Sequence, residues 1–92
     1  MRRETAETVA DEALIWLLGQ TDLVGVFLGA TGMEPSDLRA VADAPETRAA
    51  VLDFLLMDDA WVAAFCRETN RDLHEPIAAR QSLPGGEEVH WT

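Results

Sequence analysis

The chain has no lysine and no tyrosine, a single cysteine, and seven basic residues, all arginine, against 17 acidic ones. Each shortage excludes something. A formal net charge of −10 repels phosphate backbones and anionic lipid headgroups, so neither nucleic acid nor a membrane surface is expected as a partner. A basic partner would be attracted. The lone Cys66 cannot close an internal disulfide, which fits a reducing compartment. Without tyrosine or long β-branched runs, a β domain is disfavoured. A secretory leader is not expected either: Met1-Arg2-Arg3 is followed at once by Glu4, Glu7, Asp11 and Glu12, where an export signal needs an apolar run. The cytoplasm is the expected location.

What is present is apolar. Hydrophobic residues make up 48 % of the 92, led by alanine and leucine, both strong helix formers. The length suits one domain, whose small size demands a dense core. The stretch from Leu14 to Gly32 carries one charge, Asp22, and is interrupted at its middle by Gln20-Thr21-Asp22. A charge there is costly in lipid, so two buried helices account for the stretch better than a membrane span.

Periodicity and punctuation predict six short helices. The first runs from about Thr5 to Gly19 and becomes apolar all round at Leu14–Leu18, the pattern of a buried helix. Asp22 is placed to cap a second helix ending at Thr31-Gly32, because glycine takes the left-handed cap without steric cost. Gly25 and Gly29 share one face of it and would let another helix approach closely. Pro35 and Pro45 suit the first positions of the third and fourth helices, with Leu38 and Val41 of the third facing the core. Asp58-Asp59 caps a fifth helix that ends at Asn70, and the sixth covers about Asp72 to Ser82 with Ile77 as its main apolar contact.

Sliding the second half onto the first by 38 residues aligns Leu14 with Leu52, Leu17 with Leu55, Leu18 with Leu56, Val24 with Val62, Phe27 with Phe65 and Thr31 with Thr69. Trp16 meets Phe54 and Gly32 meets Asn70, pairs of similar physical role. The expected architecture is an all-α compact bundle built from two similar three-helix units, residues 5–42 and 45–82, in a single domain spanning 1–84 with a tail at 85–92.

The run Leu52-Asp53-Phe54-Leu55-Leu56-Met57-Asp58-Asp59, with Thr31-Gly32-Met33-Glu34-Pro35-Ser36-Asp37-Leu38 upstream and Leu83-Pro84-Gly85-Gly86 downstream, resembles a small bacterial family of all-helical proteins of unknown function. The resemblance covers nearly the whole chain. It implies the fold and a bacterial origin, and no activity.

No residue set points to chemistry. His74 and His90 lie in polar surroundings, and His74 and Glu75 are helix neighbours that do not face each other. Cys66 follows Val62 by one turn and reads as a half-buried, inert thiol. Asp53, Asp58 and Asp59 lack the glycine that bends a cation-binding loop. Gly25–Gly32 lacks the lysine of a phosphate loop. Catalysis, a metal and a cofactor are therefore not expected. Trp16 and Trp61 read as mostly core, whereas Trp91 sits in the tail, able to anchor in a partner or fold back. The apolar content of the first, second and fourth helices exceeds what a small domain can hide, so a groove or self-association seam is expected. The reading is a protein–protein interaction or regulatory module, with Phe27, Trp61, Phe65 and Trp91 as contact candidates. The alternative is a binder of a small apolar ligand between the two halves, where Gly25 and Gly29 leave space.

Overall fold

Six helices form in the computed structural model: α1 (Arg3–Leu18), α2 (Thr21–Thr31), α3 (Pro35–Ala40), α4 (Pro45–Leu55), α5 (Asp59–Thr69) and α6 (Glu75–Gln81). The structure describes residues 1–84, with no strand among them; the tail 85–92, with His90 and Trp91, lies outside the described residues. The fold is all-α.

Local chemistry sets most helix ends. The Asp58 carboxylate accepts from the backbone N–H groups of Ala60 at 2.8 Å and Trp61 at 3.3 Å, capping α5 as its position predicted. Glu34 and Asp37 close a reciprocal capping box at the start of α3, ahead of Pro35. Gly32 (φ 75°) and Asn70 (φ 58°) end α2 and α5 in the left-handed conformation. Two ends differ from expectation. Asp22 does not cap α2: the helix begins at Thr21, two residues earlier than an Asp22 cap implies, and Asp22 sits in its first turn near the positive end of the dipole. α6 begins at Glu75 and not near Asp72, because Pro76 lacks an N–H and is tolerated only in the first turn of a helix. Asp72 turns the chain instead, its carboxylate accepting from the His74 N–H at 2.9 Å.

The core is one cluster drawn from all six helices. Its centre is α1, which packs against α2, α4, α5 and α6, while α6 also packs on α4. The buried face of α1 is built from small side chains, Ala6, Val9, Ala10 and Ala13, with Leu17 beyond them. α6 presents Pro76 and Ala79 inward. Ile77, the expected core residue of α6, is 46 % exposed: with Pro76 and Ala79 on the packed face, position 77 points outward. Val41 is also exposed, because α3 ends at Ala40 and Val41 leaves the helical register. α1 is not buried all round, since Ile15 is 70 % exposed and Leu18 is exposed as well.

The halves match locally. The Thr31 and Thr69 hydroxyls donate back to the Phe27 and Phe65 carbonyls at 3.0 and 2.7 Å, and both phenylalanines are fully buried. The packing is nevertheless not that of two equivalent units. α6 lies broadly on both α1 and α4, and α3 has no comparably broad contact.

α2 departs most from its sequence pattern. Phe27 is its one buried residue. A Cβ added at Gly25 or Gly29 would meet nothing within 4 Å, so these glycines face open space and do not admit a close helix. Among the described residues no single helix is long and apolar enough to cross a membrane; α1 and α2 reach that composition together but are bent by 116°.

These placements have opposite consequences for substitution. Ala10→Leu, which overfills the α1 face, should lower stability by about 1–3 kcal/mol, while Gly29→Ala should raise it by about 0.5–1 kcal/mol through reduced unfolded-chain entropy. Urea denaturation midpoints of the two variants would check both signs.

Candidate functional site

An apolar hollow lies between α5 and α6. It measures about 570 Å³ and is floored by Leu56, Val62, Ala63, Leu73 and Ile77. Asp59 and His74 supply its polar edge. Leu73 and Ile77 stand 57 % and 46 % exposed, and the neighbouring Met57, at the end of α4, is 76 % exposed. Leu73 and Ile77 thus leave apolar surface in water within one hollow, while Met57 adjoins it in sequence only.

Three interactions fix the segments that border this groove. The Asp58 cap fixes the start of α5. Arg71, in the turn after α5, donates to both Glu12 carboxylate oxygens of α1 at 2.8 and 2.9 Å and to Glu75 of α6 at 2.7 Å. Glu75 in turn accepts from the Asp72 N–H at 2.9 Å. Arg71 therefore ties the α5–α6 turn to α1 across 59 residues of sequence, in the two-pronged geometry that makes guanidinium–carboxylate pairs strong. The Arg71 hydrogen bonds hold Glu12 below the usual carboxylate range. Glu75 is lowered chiefly by the Asp72 N–H, then by Arg71. The guanidinium is pushed further up by Glu12 and Glu75.

Cys66 lies beneath this turn, buried, with its Sγ 3.5 Å from the Asp72 carbonyl. Burial raises its pKa, and the charges of Glu75 and Asp72 add to the rise. The thiol stays protonated and is a poor nucleophile. Asp53, Asp58 and Asp59 do not act together: Asp53 accepts from Arg80 at 2.7 Å while Asp58 caps α5. Among the described residues no three His, Cys, Asp or Glu side chains converge as a metal site would require.

The four contact candidates fall in different places. Phe27 and Phe65 are 1 % and 0 % exposed and present no surface to a partner. Phe27 meets Phe54 edge-on with ring centres 5.4 Å apart, and Phe65 meets Trp16 edge-on at 6.2 Å. Their aromatic mass serves the core that joins the halves. Trp61 is half-buried, stacked on Phe54 at 4.8 Å, and borders a second hollow of about 490 Å³ together with Trp16, Gln20 and Asp22. Trp91 lies outside the described residues. The Trp16 indole N–H is buried with no hydrogen-bond partner among the described residues, which costs about 1–3 kcal/mol for an orphaned donor. The space expected beside Gly25 and Gly29 is open surface and not a cavity. Sequence reasoning missed Leu73 and Ile77. The available signal was Leu73 itself, a lone large apolar residue in the polar run Arg71–Glu75.

The described residues form a small all-helical bundle with an apolar hollow between α5 and α6. The chain belongs to the family described as "Protein of unknown function (DUF3572)", whose model matches residues 3–86. No curated protein and no solved structure matches it.

Two measurements test this site. Glu12 and Glu75 have folded pKa values below their unfolded ones, so their contribution to stability is present above the ordinary carboxylate range and is lost as pH falls through the folded values. The wild type should therefore lose more stability than Arg71→Gln as pH drops from 7 toward 3, narrowing the gap between their urea midpoints. Cys66 should react slowly with an aromatic disulfide reagent at pH 8 and rapidly in denaturing urea; equal rates would contradict its burial.

Proposed function

We propose that this chain is a protein–protein interaction module that receives a basic amphipathic helix in the α5–α6 groove. The observation that carries the reading is the apolar hollow in which Leu73 and Ile77 stand exposed beside the half-buried Leu56. Two adjacent helices with an apolar trough between them suit the helix-in-groove mode, in which residues at helical spacing insert as anchors. The partner's charge follows from this chain's. Asp58, Asp59 and Asp72 lie close to the groove in sequence and on α5, α6 or their flanks, and the whole chain carries −10. A partner helix flanked by arginine or lysine is steered toward such a surface, and a second copy of the same acidic chain is repelled. Trp61, half-exposed on another side of α5, is the remaining described candidate for a peripheral contact. A reducing, cytoplasmic setting suits a chain whose one cysteine is free and buried.

The test is a titration of the isotopically labelled chain with a helical peptide bearing a leucine stripe between arginine flanks. Saturable shifts should centre on Leu56, Ala63, Leu73 and Ile77 and weaken as salt is raised. Leu73→Asp should abolish them, while Ile15→Asp, on exposed α1 surface, should leave them intact. Shifts spread evenly over the molecule, or indifference to Leu73→Asp, would refute the assignment of the groove.

A further inference from the structure

A second apolar groove differs in chemistry from the first. It lies among α1, α2 and α3, measures about 260 Å³, and is walled by Leu14, Leu18, Val24, Leu28 and Leu38. The one polar side chain lining it is Arg39, in the last turn of α3. Five of the seven arginines are held by carboxylates: Arg2, Arg3, Arg48, Arg71 and Arg80. Arg39 has no carboxylate within ion-pair distance among the described residues, in a chain with 17 acids. Its near neighbour Asp37 is engaged elsewhere, accepting from the Glu34 N–H at 3.2 Å. Arg67 is likewise without an ion pair among the described residues, but it lines none of the grooves described above.

We propose that this groove binds a small amphipathic carboxylate, its carboxyl group on the Arg39 guanidinium and its apolar chain along Leu14, Leu18, Val24 and Leu28. A guanidinium offers two parallel N–H donors that match a carboxylate, and a charge-assisted pair of this kind beside apolar walls is stronger than in open water. Elsewhere the acidic surface repels an anion, so Arg39 is the feature that selects the ligand's charge. Volume selects its size: 260 Å³ falls just below the roughly 300–1,000 Å³ of pockets that enclose drug-sized ligands, which suits a short acyl or aryl chain and excludes a long lipid. The ligand would also join α3, which contributes only Leu38 to the core, to α1 and α2. This site is independent of the α5–α6 groove and of the partner assigned to it.

The experiment titrates octanoate, octan-1-ol and octyltrimethylammonium against the isotopically labelled chain and follows the methyl signals of Leu14, Leu18, Val24 and Leu28. Octanoate should give saturable shifts there, and the alkylammonium none. Arg39→Gln should weaken octanoate binding by about tenfold or more, the scale of a lost charge-assisted hydrogen bond, and Arg39→Lys should fall between. Arg39 is on the surface, so both variants should keep the wild-type unfolding midpoint without ligand. Octanol binding as tightly as octanoate, unchanged binding by Arg39→Gln, or no saturable shift at these four residues would each overturn the proposal.

Discussion

The whole arrangement depends on how closely helices can approach α1. Its inward face is lined by Ala6, Ala10 and Ala13, all at most 1 % exposed, and alanine leaves room for neighbouring backbones that a larger side chain would hold off. α4 and α6 both lie against α1, and each also touches the other. α6 meets this centre with another alanine, Ala79, and with Pro76. Because these residues bury little surface each, α1 gains adhesion at its edges. Arg48 donates from α4 to Asp11 at 3.0 Å, and Arg71 reaches Glu12. Asp11 and Glu12, midway along α1, thus anchor the two arginines that tie α4 and the α5–α6 turn to it.

That anchoring shapes the surface. With Pro76 and Ala79 turned inward, Leu73 and Ile77 must face the cleft beside α5, and an apolar groove results from the same constraint that packs the core. The groove among α1, α2 and α3 has a parallel origin. The helices converge on Phe27 and Leu38 but are too few in buried contacts to close over Leu18 and Val24. One hollow is edged by Asp59 and His74, and the other by Arg39, which has no ion pair among the described residues, so the two differ in the charge at their rims.

Helix number and several helix ends were legible in the sequence because caps are local. Asp58, Gly32, Asn70, Pro35 and Pro45 act within one turn of themselves, and their chemistry does not depend on distant packing. Helix orientation was less legible. Alanine is the buried residue on α1 and α6, and alanine gives almost no hydropathy contrast between faces, whereas Ile15 and Ile77 announce a core that they do not enter. Phe27 and Phe65 illustrate the same ambiguity at the candidate site, since large aromatic residues mark interfaces and cores alike. Leu73 and Ile77 come to line one hollow only through the placement of α6 on α1 and α4, beside α5. The two halves share left-handed C-caps and threonine back-bonds but not their N-caps, and such local features do not dictate how helices stack.

α2 carries a separate consequence. It is the most apolar helix in composition, yet it is held to the body by one fully buried side chain, Phe27, and is bounded by the Gly19-Gln20 turn and by Gly32. Elements with few buried contacts open at a lower free energy than the core they rest on. The amides of α2 should therefore exchange with solvent by detachment of the helix as a unit, while those of α1 wait for global unfolding. Protection should thus rise from α2 to α1, the helix against which α2, α4, α5 and α6 all pack.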